Sequence, residues 1–262
     1  MFLRWFEHRQ VYHPNRRLIA DGTELGRPVE NVHFQANDGV RLHGWFFPSA
    51  KDSPGGGRVW LVCHGNGGNI SHRLELYRTL LGTGPAVFAF DYRGYGASQG
   101  RPSEAGTYRD ALAACRWLYA KGYGPGELLL FGESLGGAIA SELALHEPAT
   151  GLVLQGTFTS IPAIGAELFP WLPVRRFASI RYDTRARLPG LHLPLLVMHS
   201  RADRLVHFHH AEQNFAAANE PKLFRELQGD HNDSLGDAPR LQEALQGFLR
   251  LVETHRPPPP TL

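Results

Sequence analysis

At 262 residues, with 42% hydrophobic and 20% charged residues, the chain has a globular composition and the length of one large domain. Its 27 basic and 25 acidic residues leave a net charge of only +2, which excludes the electrostatic footprint of a nucleic-acid-binding protein. No apolar run approaches the ~18 residues of a transmembrane helix, and the two cysteines, Cys63 and Cys115, read as small buried hydrophobes compatible with a reducing compartment.

The chain opens with MFLRWFEHRQVYHP, where Arg4 and Glu7 interrupt any signal-peptide core. Phe2, Leu3, Trp5 and Phe6 read as the apolar side of a first helix docked on the body. The alternative for Phe2–Phe6 is a peripheral contact with a membrane surface or a partner. VENVHFQANDGVRLHGWFF carries two alternating runs around Asn37-Asp38-Gly39, a β-hairpin signal, and KDSPGGG is a loop. Short apolar runs follow at Val59–Cys63, Ala86–Phe90, Leu128–Phe131, Leu152–Leu154 and Leu195–Met198, with amphipathic stretches between most of them. The clearest is Ser103–Tyr119, with Ser103 as cap, Tyr108, Leu112, Cys115 and Leu118 along one face, and Gly122 soon after. This alternation predicts an α/β protein, a parallel sheet covered on both faces and entered through an antiparallel hairpin.

One interval breaks the rhythm. About forty residues separate Gln155 from Pro194, and they contain Phe169-Pro170-Trp171-Leu172-Pro173. They predict a small helical insertion, a cap over about 157–193. The final RPPPPTL, 256–262, reads as a solvated tail. One domain is expected over 1–262, without internal repeats.

The stretch LLLFGESLGGA, 128–138, contains G-x-S-x-G at Gly132–Gly136 between an apolar strand and a helical pattern. A serine hydroxyl needs a base to take its proton and a third group to orient that base. A sharp strand-to-helix turn would expose Ser134 for attack. Asp203 lies just beyond the late strand LPLLVMHS. Of the histidines after it, His207, His209 and His210 share its own loop, and His255 lies beside the tail. His231 follows one further short strand, PKLFREL, in a polar loop, so elimination leaves His231 as the base. The order is Ser134, Asp203, His231. A developing oxyanion needs backbone N–H donors. The glycine-rich HGNGGN after the strand 59–63 offers Asn66 N–H, with Leu135 N–H as the second donor. His64 reads as a packing and hydrogen-bonding residue, not a base. A phosphate loop is excluded, because neither G-x-G-x-x-G nor Gly-Lys-Ser/Thr occurs. HFHH, which supplies His207, His209 and His210, matches no closed zinc spacing and lacks a nearby cysteine or carboxylate pattern. No metal and no cofactor are expected.

HGNGGN, FDYRGYGASQGRPSE, GESLGG, HSRAD and GDHND together resemble the α/β-hydrolase superfamily. Within it the chain resembles the Bem46-like branch, relatives of the serine aminopeptidase-like hydrolases, from about residue 29 to 253. The resemblance implies the α/β-hydrolase fold: a mostly parallel sheet of about eight strands with an N-terminal antiparallel hairpin, helices on both faces and a short helical cap after the sixth strand. It implies a cofactor-free serine hydrolase with Ser134 as nucleophile, His231 as base and Asp203 as orienter, and a structural role for Asp91–Gly96. Val206-His207 stands where relatives often have Val-Pro. Many relatives carry an N-terminal membrane anchor, whereas this chain starts almost directly at the body, so a cytoplasmic or membrane-peripheral location is expected. The expected substrate is a small-molecule carboxylic ester of short to medium acyl chain, lodged against Phe158, Phe169, Trp171 and Leu172 of the cap. The alternatives are an acyl thioesterase, an aminopeptidase-like amidase, or, in another class, a non-catalytic scaffold that binds a ligand or partner.

Overall fold

Period-two alternation in the apolar strands decides which face each side chain serves. In the strand Val59–Cys63, Val59, Leu61 and Cys63 join one core, while Trp60 and Val62 join another on the opposite face. Both sets are buried because helices cover both faces, so the strand reads as a continuous apolar run.

The computed structural model describes residues 2–50, 53, 57–233 and 236–255. The expected loop KDSPGGG is described only at Ser53 and Gly57, and the tail 256–262 and the Phe2 side chain lie outside the described residues. In chain order the sheet strands are β1 (Glu30–Gln35), β2 (Arg41–Phe47), β3 (Val59–Cys63), β4 (Ala86–Asp91), β5 (Leu128–Glu133), β6 (Gly151–Gln155), β7 (Leu195–Ser200) and β8 (Lys222–Leu227). The helices are α1 (Phe2–Val11), α2 (Leu74–Gly82), α3 (Glu104–Ala120), α4 (Leu135–His146), α5 (Ile161–Leu168), α6 (Val174–Phe177), α7 (Thr184–Arg187), α8 (His209–Ala217) and α9 (Ala238–Thr254).

Across the sheet the order is β1-β2-β4-β3-β5-β6-β7-β8. β1 and β2 form the expected hairpin, β2 joins β4 antiparallel, and every pair from β4 to β8 is parallel. A two-residue parallel bridge, His13–Pro14 with Gly67–Gly68, ties the segment after α1 to the loop after β3.

Sequence explains the layers. α9 buries Leu241, Ala244, Leu245, Phe248 and Val252, spaced for one helical stripe, and with α2 covers the Trp60 face. α3 is capped by Ser103, whose hydroxyl accepts from Gly106 N–H, and buries Ala111, Ala114, Cys115 and Leu118 in the core of the other face. The interruption after β6 folds as α5, α6 and α7, three short helices above the carboxyl end of the sheet. Among the described residues no helix is long and apolar enough to cross a membrane. The register aligns Cys63 with Gly132, Glu133 with Gln155, and Leu227 with Ser200, so the loops after β3, β5, β7 and β8 all leave from one edge. Ligands of parallel sheets bind at that edge.

Candidate active site

Ser134 occupies the turn between β5 and α4 with φ 51° and ψ −114°, a backbone conformation that non-glycine residues rarely adopt. Two glycines of the pentapeptide make that turn possible. A Cβ on Gly136 would sit 1.9 Å from the Cys63 carbonyl oxygen, and one on Gly132 would sit 2.4 Å from Gly137 Cα. The spacing G-x-S-x-G thus records how closely the turn is pressed against β3 and against itself. Ser134 N–H is held by the Gln155 carbonyl at 2.8 Å.

The loops after β7 and β8 bring two further groups to the serine. His231 Nε2 lies 3.0 Å from Ser134 Oγ, and His231 Nδ1 donates to Asp203 Oδ2 at 2.7 Å. Asp203 is only 5% exposed, and its other oxygen accepts from Leu205 N–H at 3.0 Å and Val206 N–H at 2.8 Å. Burial alone would raise the Asp203 carboxyl. The hydrogen bond and charge of His231, with Val206 N–H and His199, hold it below the usual carboxylate range. With Asp203 ionised, the His231 proton stays on Nδ1 and the Nε2 lone pair faces the serine hydroxyl. The loop of His231 is itself anchored. Asp230 Oδ1 accepts from His231 N–H at 2.8 Å and from Arg204 N–H at 2.9 Å, and these contacts lower its carboxyl to about 2.

The loop after β3 is fixed by groups that the sequence did not assign to it. Arg73 and Glu133 form a partly buried two-pronged ion pair at 2.8 and 3.1 Å, and Arg73 Nη1 also donates to the Asn69 carbonyl. Glu133 immediately precedes the serine, so one ion pair holds the serine turn and the HGNGGN loop together. Burial would raise its carboxyl, but Arg73 keeps it below the ordinary range. The tyrosines of the Asp91–Gly96 segment donate to carbonyls of the same loop, Tyr92 to His64 and Tyr95 to Asn66, each at 2.9 Å. Asn66 Nδ2 donates to the Val11 carbonyl at 3.1 Å. No sequence signal pairs Arg73 with Glu133; the phenolic tips in FDYRGYG were visible, but their targets were not.

His64 is fully buried against Tyr92, with ring centroids 4.3 Å apart, and its Nδ1 donates to the Gly65 carbonyl at 2.7 Å. Burial, aided by the Arg73 charge and opposed by Asp91, lowers its pKa from the ordinary 6.5 to about 4. The unfolded chain therefore protonates this group first. Between about pH 6.5 and 4 the unfolded state binds more protons, so stability falls as pH is lowered through that window. A shift of this size is worth at most about 3 kcal/mol. His210, also lowered to about 4 by burial, acts in the same direction. The thermal midpoint should drop between pH 7 and 4.5, and His64→Asn should flatten part of that drop. An unchanged slope in the variant would rule His64 out as a contributor.

Ser134, Leu135, Asn66 and His231 all border a cavity of about 460 Å³. Phe158, Phe169 and Leu172 line it as expected from the cap. Trp171 does not. It is 76% exposed, outside the lining, and packs edge-on against Phe169 at 6.3 Å. Pro170 and Trp171 form the outer turn between α5 and α6, and a turn residue there projects away from the sheet. The opposite wall comes from α1, through Leu3, Phe6 and Val11. Phe6 meets Phe169 edge-on at 5.8 Å, and Glu7 accepts from Ser179 and Ile180 N–H, so α1 is clamped to the cap. Leu3 and Trp5 remain about half exposed.

The family model described as serine aminopeptidase, S33, matches residues 57–185. An uncharacterized protein of Mycobacterium tuberculosis is 40% identical over 252 residues, covering 95% of this chain and 89% of that protein. The α/β hydrolase domain-containing protein WAV2 of Arabidopsis thaliana is 40% identical over 183 residues, 64% of this chain and 56% of its own length. Among solved structures, the esterase domain of a Rhodothermus marinus protein superposes with a TM-score of 0.66 at 26% identity, over 86% of this chain and 99% of that domain.

Proposed function

The chain belongs to the α/β-hydrolase superfamily, and on that premise we propose that it is a serine hydrolase cleaving carboxylic esters of short to medium acyl chain. One observation carries the reading. The relay Ser134 Oγ to His231 Nε2 to Asp203 Oδ2, at 3.0 and 2.7 Å, opens onto an apolar cavity. A binding scaffold has no use for a buried, ionised carboxylate that fixes an imidazole tautomer against a serine.

In this reading His231 Nε2 takes the Ser134 proton as Oγ attacks the ester carbonyl, and the carbonyl electrons move to oxygen. Leu135 N–H, at the start of α4, and Asn66 N–H donate to that oxyanion, helped by the positive end of the helix. Collapse of the tetrahedral intermediate expels the alcohol, which leaves with the proton from His231. Water then attacks the acyl-enzyme, giving its proton to His231, and Ser134 is regenerated. Asp203 stays ionised and stabilises the imidazolium in both halves. Burying a charged acyl group against Phe158, Phe169 and Leu172 would be costly, so uncharged acyl groups are preferred.

The test is a panel of p-nitrophenyl esters of rising chain length beside acyl-thioester and aminoacyl-anilide substrates. Each buried methylene contributes about 0.8 kcal/mol, or roughly fourfold in kcat/KM, until the chain leaves the cavity. The profile should climb and then flatten among short to medium chains. Leu172→Ala, which alters the lining, should move the plateau; Trp171→Ala, outside it, should leave the profile unchanged. A profile still climbing at palmitoyl would replace this substrate class by long lipid acyl groups. A preference for the thioester or the anilide would replace the ester.

A further inference from the structure

The HFHH segment follows the Asp203 loop and runs into α8. Without a carboxylate or cysteine at zinc-ligand spacing in sequence, it reads as three unrelated histidines. The fold supplies the carboxylate from the cap. Glu167, on α5, lies between them: His207 Nδ1 is 2.9 Å from its Oε2, and His209 Nε2 is 3.0 Å from its Oε1. One donor atom from each of Glu167, His207 and His209 lies within 4.8 Å of the others. We propose that Glu167, His207 and His209 form a binding site for a divalent transition-metal ion of the zinc type, which staples the cap to the loop carrying Asp203.

The ligand set is chemically coherent. Two imidazoles and one carboxylate suit Zn²⁺ and its neighbours, and disfavour the oxygen-seeking Mg²⁺ and Ca²⁺. Bonds of ~2.0 Å at tetrahedral angles put ligand atoms about 3.3 Å apart. The present nitrogen–oxygen separations of 2.9 and 3.0 Å run to different oxygens of Glu167, and with one donor atom from each residue within 4.8 Å of the others, the two imidazoles must turn toward a shared ion. The two histidine side chains are 54% and 43% exposed, so they have room to make that adjustment and to shift their ring protons to the outer nitrogens. Water completes the coordination.

His210 belongs to the outer shell instead of the ligand set. Its Nδ1 accepts from Thr159 backbone N–H at 3.2 Å, so a neutral ring carries its proton on Nε2. That Nε2–H lies 3.1 Å from Glu167 Oε1 and has no lone pair to offer a metal. His210 is buried and fixed by Thr159, at the base of the cap, so it stands behind the carboxylate as a fixed neighbour of the site.

Placement gives the site its consequence. Ile164, Gly165 and Leu168, around Glu167 on α5, line the cavity, as do Leu205 and Val206 between Asp203 and His207. An ion here joins the two cavity walls without touching Ser134, His231 or Asp203. Ion binding should therefore stiffen the pocket and raise its stability, while the metal-stripped protein keeps its hydrolytic machinery.

The experiment uses the whole chain, stripped with chelator and dialysed, titrated with Zn²⁺ against a competing indicator. The wild type should bind one tight equivalent and gain several degrees in Tm. Glu167→Gln and His209→Ala should each weaken binding at least tenfold and abolish the Tm gain, while His255→Ala, a histidine remote from the cluster, should change neither. Circular dichroism checks that the variants are folded. Co²⁺ in place of Zn²⁺ should give the intense visible absorption of a four-coordinate site, lost in the same variants. Absence of a tight equivalent, or affinity unchanged in Glu167→Gln and His209→Ala, would overturn the proposal and leave the cluster as hydrogen bonds bracing the cap.

Discussion

Replacement of Ser134 by alanine should remove both ester turnover and covalent labelling by a fluorophosphonate, with kcat lowered by up to ~10⁶. The change deletes the oxygen that lies 3.0 Å from His231 and little else. The turn around it is held by the Ser134 N–H bond to Gln155, by the two glycines pressed against β3 and α4, and by the Arg73–Glu133 ion pair. None of these uses the hydroxyl. The unfolding midpoint should stay within a few degrees of the wild type, which separates loss of chemistry from loss of fold. His231→Ala should be almost as severe, because serine and histidine act as a unit and removing either removes both contributions. Hydrolysis by the alanine variant at the wild-type rate would reject Ser134 as the nucleophile.

How much of this could be read from sequence depends on the distance over which each signal acts. The strands were legible because a fully buried strand must be apolar along its whole length, and the hairpin because Asn37-Asp38-Gly39 is a local turn code. The approach of Ser134, Asp203 and His231 was legible because parallel strands deliver the residues after their carboxyl ends to one edge. Chain order plus strand ends then nearly fixes geometry. Side-chain direction in the cap was not legible. Phe169, Trp171 and Leu172 are equally apolar, yet the turn between two prolines sends Trp171 to solvent and its neighbours to the cavity. Nothing in composition encodes that direction. Partnerships across the fold were also hidden. Glu133 reads as a filler of G-x-S-x-G until Arg73 arrives from the start of α2, and the carboxylate that meets His207 and His209 is hidden until α5 brings Glu167. The N-terminal Phe6 reads as a docking residue, but its place in the cavity wall depends on where the cap lies.

Asp203→Asn should lower kcat by about 10⁴ while leaving the protein folded, a smaller loss than at Ser134 or His231. The carboxylate does two things that the amide cannot do together. One oxygen accepts from Leu205 and Val206 N–H, and the other accepts from His231 Nδ1. In the variant the single amide oxygen is claimed by the two backbone donors. The amide nitrogen then faces His231 and donates to Nδ1. The histidine proton moves to Nε2, and the atom that should accept the serine proton already carries one. The variant also loses the negative charge that stabilises the imidazolium once formed. Asp230 provides the control, because it is adjacent to His231 in sequence and also ionised. It bonds the His231 backbone N–H and Arg204, not the ring. Asp230→Asn should therefore loosen the loop and cost far less than Asp203→Asn. Equal losses in the two variants would mean that loop anchoring, not ring orientation, governs turnover. A larger loss at Asp230 would move the orienting role to that residue.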